Sequence, residues 1–110
     1  MTSLSTHVLD LYHGKPAQNV QVDVYFNHQF LLTVETDESG RCTPTINKPF
    51  ERGTYEFVFH IDTYFQSKGV PLPVSPFLST IPVLFTIEKD SHYHVPLLVT
   101  PWSYQVYRGS

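Results

Sequence analysis

The sequence contains a single cysteine, Cys42, among its 110 residues. One cysteine cannot form a disulfide within the chain, so the fold does not require an oxidising compartment. Because an isolated cysteine most often packs as a small apolar residue, we interpret Cys42 as structural rather than as a reactive thiol.

Charged residues are scarce as well, at 15% of the chain with a formal net charge of −3. A nucleic-acid-binding domain carries clustered Lys and Arg, so this mild acidic balance excludes nucleic acid as a partner. The hydrophobic fraction of 41% is too high for a disordered chain. The length fits one domain, which we place at residues 1–110.

Long apolar runs are absent: none approaches the roughly 18 residues of a membrane span. The amino-terminal segment also lacks the basic, apolar and small-residue pattern of a signal peptide. We therefore expect no membrane association and a cytoplasmic location, with periplasm or peroxisome as the alternatives if a leader has been removed.

Alternation of apolar and polar residues with a period of two runs through most of the chain and is typical of half-buried strands. Nine Pro and five Gly fall largely between these segments. Short strands at such spacing predict an all-β sandwich of about eight strands. The predicted strands lie near residues 4–12, 20–26, 30–34, 55–61, 83–88, 92–99 and 103–107, with a further short strand that begins at Arg41.

One segment predicts helix instead. Residues 62–68 can form one or two turns, with Asp62 or Thr63 as the N-cap and Gly69 as the end. Three prolines then rule out regular ladder pairing, so residues 69–81 are predicted to form a loop of restricted flexibility.

Histidines stand at positions that the pattern alone leaves ambiguous. On a strand, His7 shares a face with Leu9 and Leu11, which would normally lie in the core. The pattern is therefore compatible with a structural His7 as well as with a functional one. His92 and His94 share one strand face, which raises the possibility of a metal site. No spacing enforces a third ligand, so we favour a site without metal.

The carboxyl end carries an unusual chemical set, because a terminus is normally disordered and tolerant of change. A phenol, a guanidinium, a glycine, a hydroxyl and the α-carboxylate occur together in Tyr107, Arg108, Gly109 and Ser110. Arg41, directly after Gly40 in a turn, would by itself be an ordinary solvated charge.

Taken together, these segments closely resemble the 5-hydroxyisourate hydrolases, the transthyretin-like enzymes of urate breakdown. The resemblance covers essentially the whole chain. It implies the transthyretin arrangement of two four-stranded sheets. It rests on Thr-His-Val-Leu-Asp at residues 6–10, Gly40-Arg41, Tyr-His-Val-Pro-Leu-Leu at residues 93–98, and Tyr-Arg-Gly-Ser at residues 107–110.

The resemblance also implies roles for individual residues. It makes His7, Arg41, His94 and Ser110 catalytic. It makes His7 and Arg41 substrate-binding as well, together with Tyr107, Arg108 and Gly109. His92 matches no functional position of the family, and we expect it on the surface.

The implied reaction is hydrolysis of 5-hydroxyisourate to 2-oxo-4-hydroxy-4-carboxy-5-ureidoimidazoline, by attack of water on a ring carbonyl. A neutral imidazole can accept the proton of that water, and either His7 or His94 fits this task. The guanidinium of Arg41 would hold ring oxygens and stabilise the developing negative charge. No cofactor is implied.

The resemblance further implies a homotetramer, a dimer of dimers whose central channel holds the site. The sequence departs from the family pattern at residues 77–82 and 103–106, which concern loop and interface more than the chemistry. The main alternative is a transthyretin-like carrier that binds a small ligand without catalysis. A β-sandwich adhesion module would explain the strands but not the composition of the terminus.

Overall fold

Nine strands and one short helix make up the protein, as described by a computed structural model of residues 1–110. They form two sheets, so the predicted two-sheet sandwich with one helix is confirmed. In chain order the elements are β1 (Ser3–Asp10), β2 (Lys15–Pro16), β3 (Gln21–Phe26), β4 (Gln29–Glu35), β5 (Arg41–Cys42), β6 (Gly53–His60), α1 (Ile61–Ser67), β7 (Thr80–Ile87), β8 (His92–Val99) and β9 (Tyr104–Val106).

One sheet has four strands in the order β4-β3-β6-β7, all antiparallel. The other has five, because the two-residue strands β2 and β5 both pair with β1, which then continues to β8 and β9. The expectation of four strands in each sheet is therefore wrong for this sheet. The two-residue strand β2 is too short to show an alternation of apolar and polar residues, so the sequence did not predict it.

The sheet of five strands is organised by a parallel pair, β1 beside β8. In this register Ser5 lies opposite His94, and His7 lies opposite Pro96. Odd-numbered residues of β1 therefore share a face with even-numbered residues of β8. One face packs into the core and the other faces outward.

The core face of β1 is formed by its even-numbered residues, two of which are polar. Leu4 and Val8 are fully buried, and so are the polar residues Thr6 and Asp10. Leu11, by contrast, is 55% exposed and lies beyond the strand. The structure resolves the ambiguity at His7: the face that it shares with Leu9 is the outer one, because the polar residues Thr6 and Asp10 lie on the core face.

Both buried polar residues of β1 have hydrogen-bond partners, as burial requires. Thr6 donates to the carbonyl oxygen of Val95. The carboxylate of Asp10 accepts from the hydroxyl of Tyr64 at 2.7 Å and pairs with Nδ1 of His13 at 2.6 Å. Burial alone would raise the pKa of Asp10, but these hydrogen bonds outweigh it and lower that pKa below its ordinary value. The pair Asp10 and Tyr64 therefore ties the sheet to the helix.

The helix begins one residue earlier than predicted. Ile61 is its first residue and its N-cap position, His60, makes no side-chain capping bond, so neither Asp62 nor Thr63 is the N-cap. Asp62 lies in the first turn, where its negative charge interacts favourably with the positive end of the helix dipole. The helix ends at Ser67, and Gly69 follows with φ of 77°. At seven residues it is far too short to cross a bilayer.

A tight turn after β4 brings Arg41 against β1. Oδ1 of Asp37 accepts hydrogen bonds from the backbone N–H of Ser39 at 2.9 Å and of Arg41 at 3.0 Å. Gly40 has φ of 78°, and its carbonyl oxygen accepts from the N–H of Val8 at 2.7 Å. A side chain here would be strained, and its Cβ would lie 2.5 Å from the carbonyl oxygen of Val8. Glycine is therefore required for this close approach.

We predict that Gly40→Ala destabilises the protein strongly, by about 2 kcal/mol or more, because positive φ and a backbone clash act together. Gly14→Ala is the matched control. Gly14 also has positive φ, at 72°, but has open space around its Cβ position. Strain alone should cost that variant only about 1 kcal/mol. Urea unfolding of both variants measures the difference, and equal losses would contradict the proposed clash.

Candidate active site

Four neighbouring backbone segments form a cleft on the outward face of the five-stranded sheet. The segments are β5, β1, β8 and the carboxyl-terminal tail. The cleft has a volume of about 300 Å³. It is lined by Ser5 and Thr6 from β1, Arg41 and Cys42 from β5 with the adjacent Thr43, His92 and His94 from β8, and Ser110. The cleft therefore brings together three of the four predicted catalytic residues.

A larger depression of about 590 Å³ lies elsewhere, between Met1, Arg52 and Lys89. It is lined by charges of both signs, with no imidazole or thiol among its residues. The smaller cleft is the better candidate, because it places imidazoles, the side chains best suited to take a proton near neutral pH, beside a guanidinium that can stabilise an anion.

Arg41 enters the cleft from the turn described above. Its backbone pairs with that of His7 across the β1 and β5 ladder. Its guanidinium has no hydrogen bond or ion pair with another side chain. Asp37 is near enough for the charge of Arg41 to contribute to lowering the pKa of that carboxyl. All donors of the guanidinium are therefore available to oxygens of a bound molecule.

His94 is held on two sides and open at one end. Its Nδ1 forms a 2.7 Å hydrogen bond with Oγ of Ser5. Its Cδ2 faces Gly109, where a Cβ would lie only 2.5 Å away. Nε2 has no partner within the protein, and since no unpartnered polar side-chain atom is buried, Nε2 reaches solvent.

The electrostatic setting keeps His94 neutral. Burial lowers its pKa below 6.5, and the positive charge of Arg41 lowers it further, with smaller contributions from His92 and His7. At neutral pH the imidazole therefore carries a free lone pair. An unprotonated nitrogen that opens into a cleft beside a guanidinium fits a general base next to an anion-stabilising group.

His7 lies at the margin of this arrangement. Its Nε2 donates to the carbonyl oxygen of Ser39 at 2.9 Å, since a carbonyl can only accept. The bond ties His7 to the turn that carries Arg41. In the neutral ring Nδ1 then holds the lone pair. His7 is beside Arg41 in the ladder but does not line the cleft itself.

The carboxyl-terminal tail, residues 107–110, reaches the cleft because it keeps the antiparallel register of β8 with β9 beyond the end of β9. Leu97 pairs with Val106, and His94 forms a bridge with Gly109, whose N–H donates to its carbonyl oxygen at 2.8 Å. Between these pairs Pro96 has no N–H to donate, which interrupts the ladder. Ser110 then follows into the cleft.

The structure does not bring Tyr107 and Arg108 into this cleft. Both line a separate, mainly apolar groove beside β7. The register sets Arg108 opposite Val95, on the core face of the sheet, and its guanidinium lies 4.3 Å from the ring centroid of Tyr93. Such a cation–π contact anchors the tail. That Tyr107 and Arg108 contact the substrate remains a prediction.

His92 has a larger part in the cleft than expected. It is exposed, as predicted, but both its ring nitrogens are hydrogen-bonded, to Ser3 and to Ser5. Sequence reasoning did not single out these serines. Their alternation with His7 on β1 placed them on one face, but only the pairing of β1 with β8 reveals which histidines they contact. No group of three or more potential metal ligands occurs in the protein.

Comparison with known proteins agrees with the fold and identifies the family. The model of the HIUase/Transthyretin family matches residues 4–109. The 5-hydroxyisourate hydrolase 2 of Rhizobium meliloti is 45% identical, with 97% of this chain and 95% of the relative covered. The solved 5-hydroxyisourate hydrolase of Klebsiella pneumoniae is 31% identical with a TM-score of 0.86 and covers both chains fully. A solved (S)-allantoin synthase is 38% identical with a TM-score of 0.90 over 99% of this chain, which spans 44% of that longer chain.

The thiol of Cys42 provides a test of how closed the floor of the cleft is. Burial raises its pKa to about 12, and the negative charge of Asp37 adds to the effect. Since the thiolate is the reactive form, alkylation of the native protein at pH 8 should be at least about a hundredfold slower than that of the unfolded chain. Iodoacetamide labelling followed by mass spectrometry measures both rates. Similar rates would show that Cys42 is an accessible, reactive thiol.

Proposed function

The chain belongs to the HIUase/Transthyretin family, and on that basis we propose that it hydrolyses 5-hydroxyisourate in urate breakdown, with His94 as the general base. The observation that carries the assignment of the base is the convergence of Arg41, His94 and Ser110 in one cleft. These are also positions at which the sequence matches the motifs of the hydrolases.

The first step is the activation of water. Nε2 of His94 is unprotonated and reaches solvent, so it can take a proton as the water oxygen adds to a ring carbonyl. His7 is less suited to this task, because its Nε2 is committed to the carbonyl oxygen of Ser39 and it does not line the cleft. We assign His7 to holding the turn of Arg41 and to contacting the substrate.

The second step is the stabilisation of charge. Addition of water places a negative charge on the former carbonyl oxygen, and the unpaired guanidinium of Arg41 is the cation in the cleft that can meet it. The ring C–N bond then breaks, and the proton held by His94 passes to the leaving nitrogen. The new carboxylic acid ionises, and His94 returns to its neutral form. Ser110 orients the water or the substrate through its hydroxyl or carboxylate.

Replacement of His94 by Asn removes the proton acceptor. We expect a loss in kcat/KM of about 10²–10⁴, the usual contribution of a general base. Arg41→Lys, which keeps the charge but loses the planar fork, should reduce kcat/KM by about tenfold or more. The ultraviolet decay of freshly made 5-hydroxyisourate, corrected for its spontaneous rate, measures both.

His28→Asn is the control for that series, because it makes the same chemical change at an exposed turn between β3 and β4 in the other sheet. It should keep the parent rate within about twofold. If the parent protein leaves the spontaneous decay unchanged, the chain is a carrier rather than a hydrolase. If the parent is active and His94→Asn remains within a few-fold of it, His94 is not the base.

We also propose that the chain assembles as a homotetramer, a dimer of dimers. Edge strands need partners, and β4 and β7 each leave one edge of their sheet unpaired. Several large apolar side chains are also exposed, which favours burial against other subunits. They include Phe30 (57%), Leu84 (59%), Trp102 (56%) and Tyr104 (47%). In such an assembly, a second subunit would complete the wall of the open cleft.

Light scattering coupled to size-exclusion chromatography tests the assembly. A tetramer should show about four times the chain mass of 12.7 kDa at micromolar concentration. Leu84→Glu places a charge on the exposed face of the edge strand β7, and burying it in an interface would be costly, so this variant should dissociate. A monomeric mass for the parent chain would contradict the proposal.

A further inference from the structure

Two serines and two histidines form a continuous chain of hydrogen bonds along the outward face of β1 and β8. Oγ of Ser3 bonds Nδ1 of His92 at 2.5 Å, and Nε2 of the same ring bonds Oγ of Ser5 at 2.8 Å. Oγ of Ser5 then bonds Nδ1 of His94 at 2.7 Å. The parallel register, with Ser3 opposite His92 and Ser5 opposite His94, produces this order. The chain ends at the ring that we assign as the base.

The two imidazoles also stack. Their ring centroids are 6.3 Å apart and their planes differ by 17°. The ring of His92 therefore lies roughly parallel to that of His94 on one side, while on another side Gly109 approaches so closely that a Cβ there would lie 2.5 Å from Cδ2 of His94. Although His92 is exposed, both of its ring nitrogens are hydrogen-bonded to serines of β1.

Counting protons shows that this chain couples the tautomers of the two rings. Ser5 has one hydroxyl proton, so it can donate to one of its two histidine partners and must accept from the other. In one arrangement Nδ1–H of His94 donates to Ser5, which donates to Nε2 of His92, whose Nδ1–H donates to Ser3. In the other, every donor and acceptor is reversed. Only the first leaves the lone pair of His94 on Nε2.

The surroundings of the cleft favour the first arrangement. Arg41 lines the same cleft as His94 and offers only donors and a positive charge. A lone pair on Nε2 is attracted to that charge, whereas an N–H at the same place would be repelled. Reversal would also require His92 to lose its proton from Nδ1 and gain one at Nε2, and Ser3 to become the donor, so the whole chain must change together.

We propose, building on the assignment of His94 as the base, that Ser5 and His92 are positioning residues that hold His94 as the Nδ1–H tautomer with its Nε2 lone pair directed into the cleft. In this role they act through the ring of His94 rather than on the reacting atoms, although both also line the cleft. They determine the fraction of enzyme molecules in which Nε2 of His94 is unprotonated and directed into the cleft. Loss of either residue should therefore lower kcat more than it changes KM.

Activity measurements on four variants separate hydrogen bonding from packing. Ser5→Ala removes the shared hydroxyl, and His92→Phe keeps a stacked ring but removes both nitrogens. Each should lower kcat by about 10- to 100-fold, a part of what a general base supplies, with KM within about threefold. Ser5→Thr keeps the hydroxyl, and His92→Gln keeps an acceptor for Ser5. Both should stay within about fivefold of the parent.

A second measurement does not depend on substrate. In protein labelled with ¹⁵N at histidine, the ring nitrogen shifts of His94 report directly which nitrogen is protonated. The parent should show the Nδ1–H tautomer at pH values above the pKa of His94. Ser5→Ala and His92→Phe should shift the population toward Nε2–H, and His28→Asn should leave it unchanged.

The two readouts distinguish the possible failures. If the parent lacks hydrolase activity but its His94 shifts respond as described, the proposed function is wrong and the positioning role stands. If Ser5→Ala and His92→Phe leave both kcat and the His94 tautomer unchanged, the positioning role is overturned. A rise in KM alone, with kcat kept, also overturns it. Should Ser5→Ala fail to fold, the exposed His92 provides the same test.

Discussion

The parallel pairing of β1 with β8 is the interaction on which the cleft depends. It joins residues that lie 89 positions apart in the chain and sets Ser5 beside His94. Every other element of the site is attached to one of these strands: the turn that carries Arg41 is bonded to β1, and the tail is bonded to β8. A slip of one residue between the two strands would turn the imidazole of His94 away from the serine and leave the guanidinium facing a different side chain. The chemistry is therefore fixed by backbone register before any side chain contributes.

Arg41 has two effects that reinforce each other. Its charge can stabilise an oxyanion on the substrate, and the same charge helps to keep His94 unprotonated. A cation beside a base is usually a disadvantage, because it weakens the base. Here the base only needs to be neutral at physiological pH and to share its proton with a leaving nitrogen later in the reaction, so a modest lowering of the pKa serves both steps.

Local pattern was enough to predict the longer strands and the sandwich, because alternation and turn residues act over a few positions. It failed at β1, where buried Thr6 and Asp10 satisfy their hydrogen bonds through residues far away in the sequence. Family motifs pointed to Arg41 and His94, which the structure brings together. They did not distinguish residues that line the cleft from those, such as Arg108, that anchor the tail through an aromatic ring. The contributions of Ser5 and His92 follow from strand pairing, which no local pattern encodes.

The distance along the chain between β1 and β8 has a kinetic consequence. Pairs with large sequence separation form late in folding, since the intervening chain must first be ordered or confined. The four-stranded sheet has smaller sequence separations, from the tight β3–β4 hairpin to pairs such as Val22 with Phe59, so it can form earlier. A nascent or refolding molecule would then hold one complete sheet while the other waits for its distant strand. During that interval both imidazoles are separated from their serines, and partially folded molecules expose the apolar edge of β8 to aggregation.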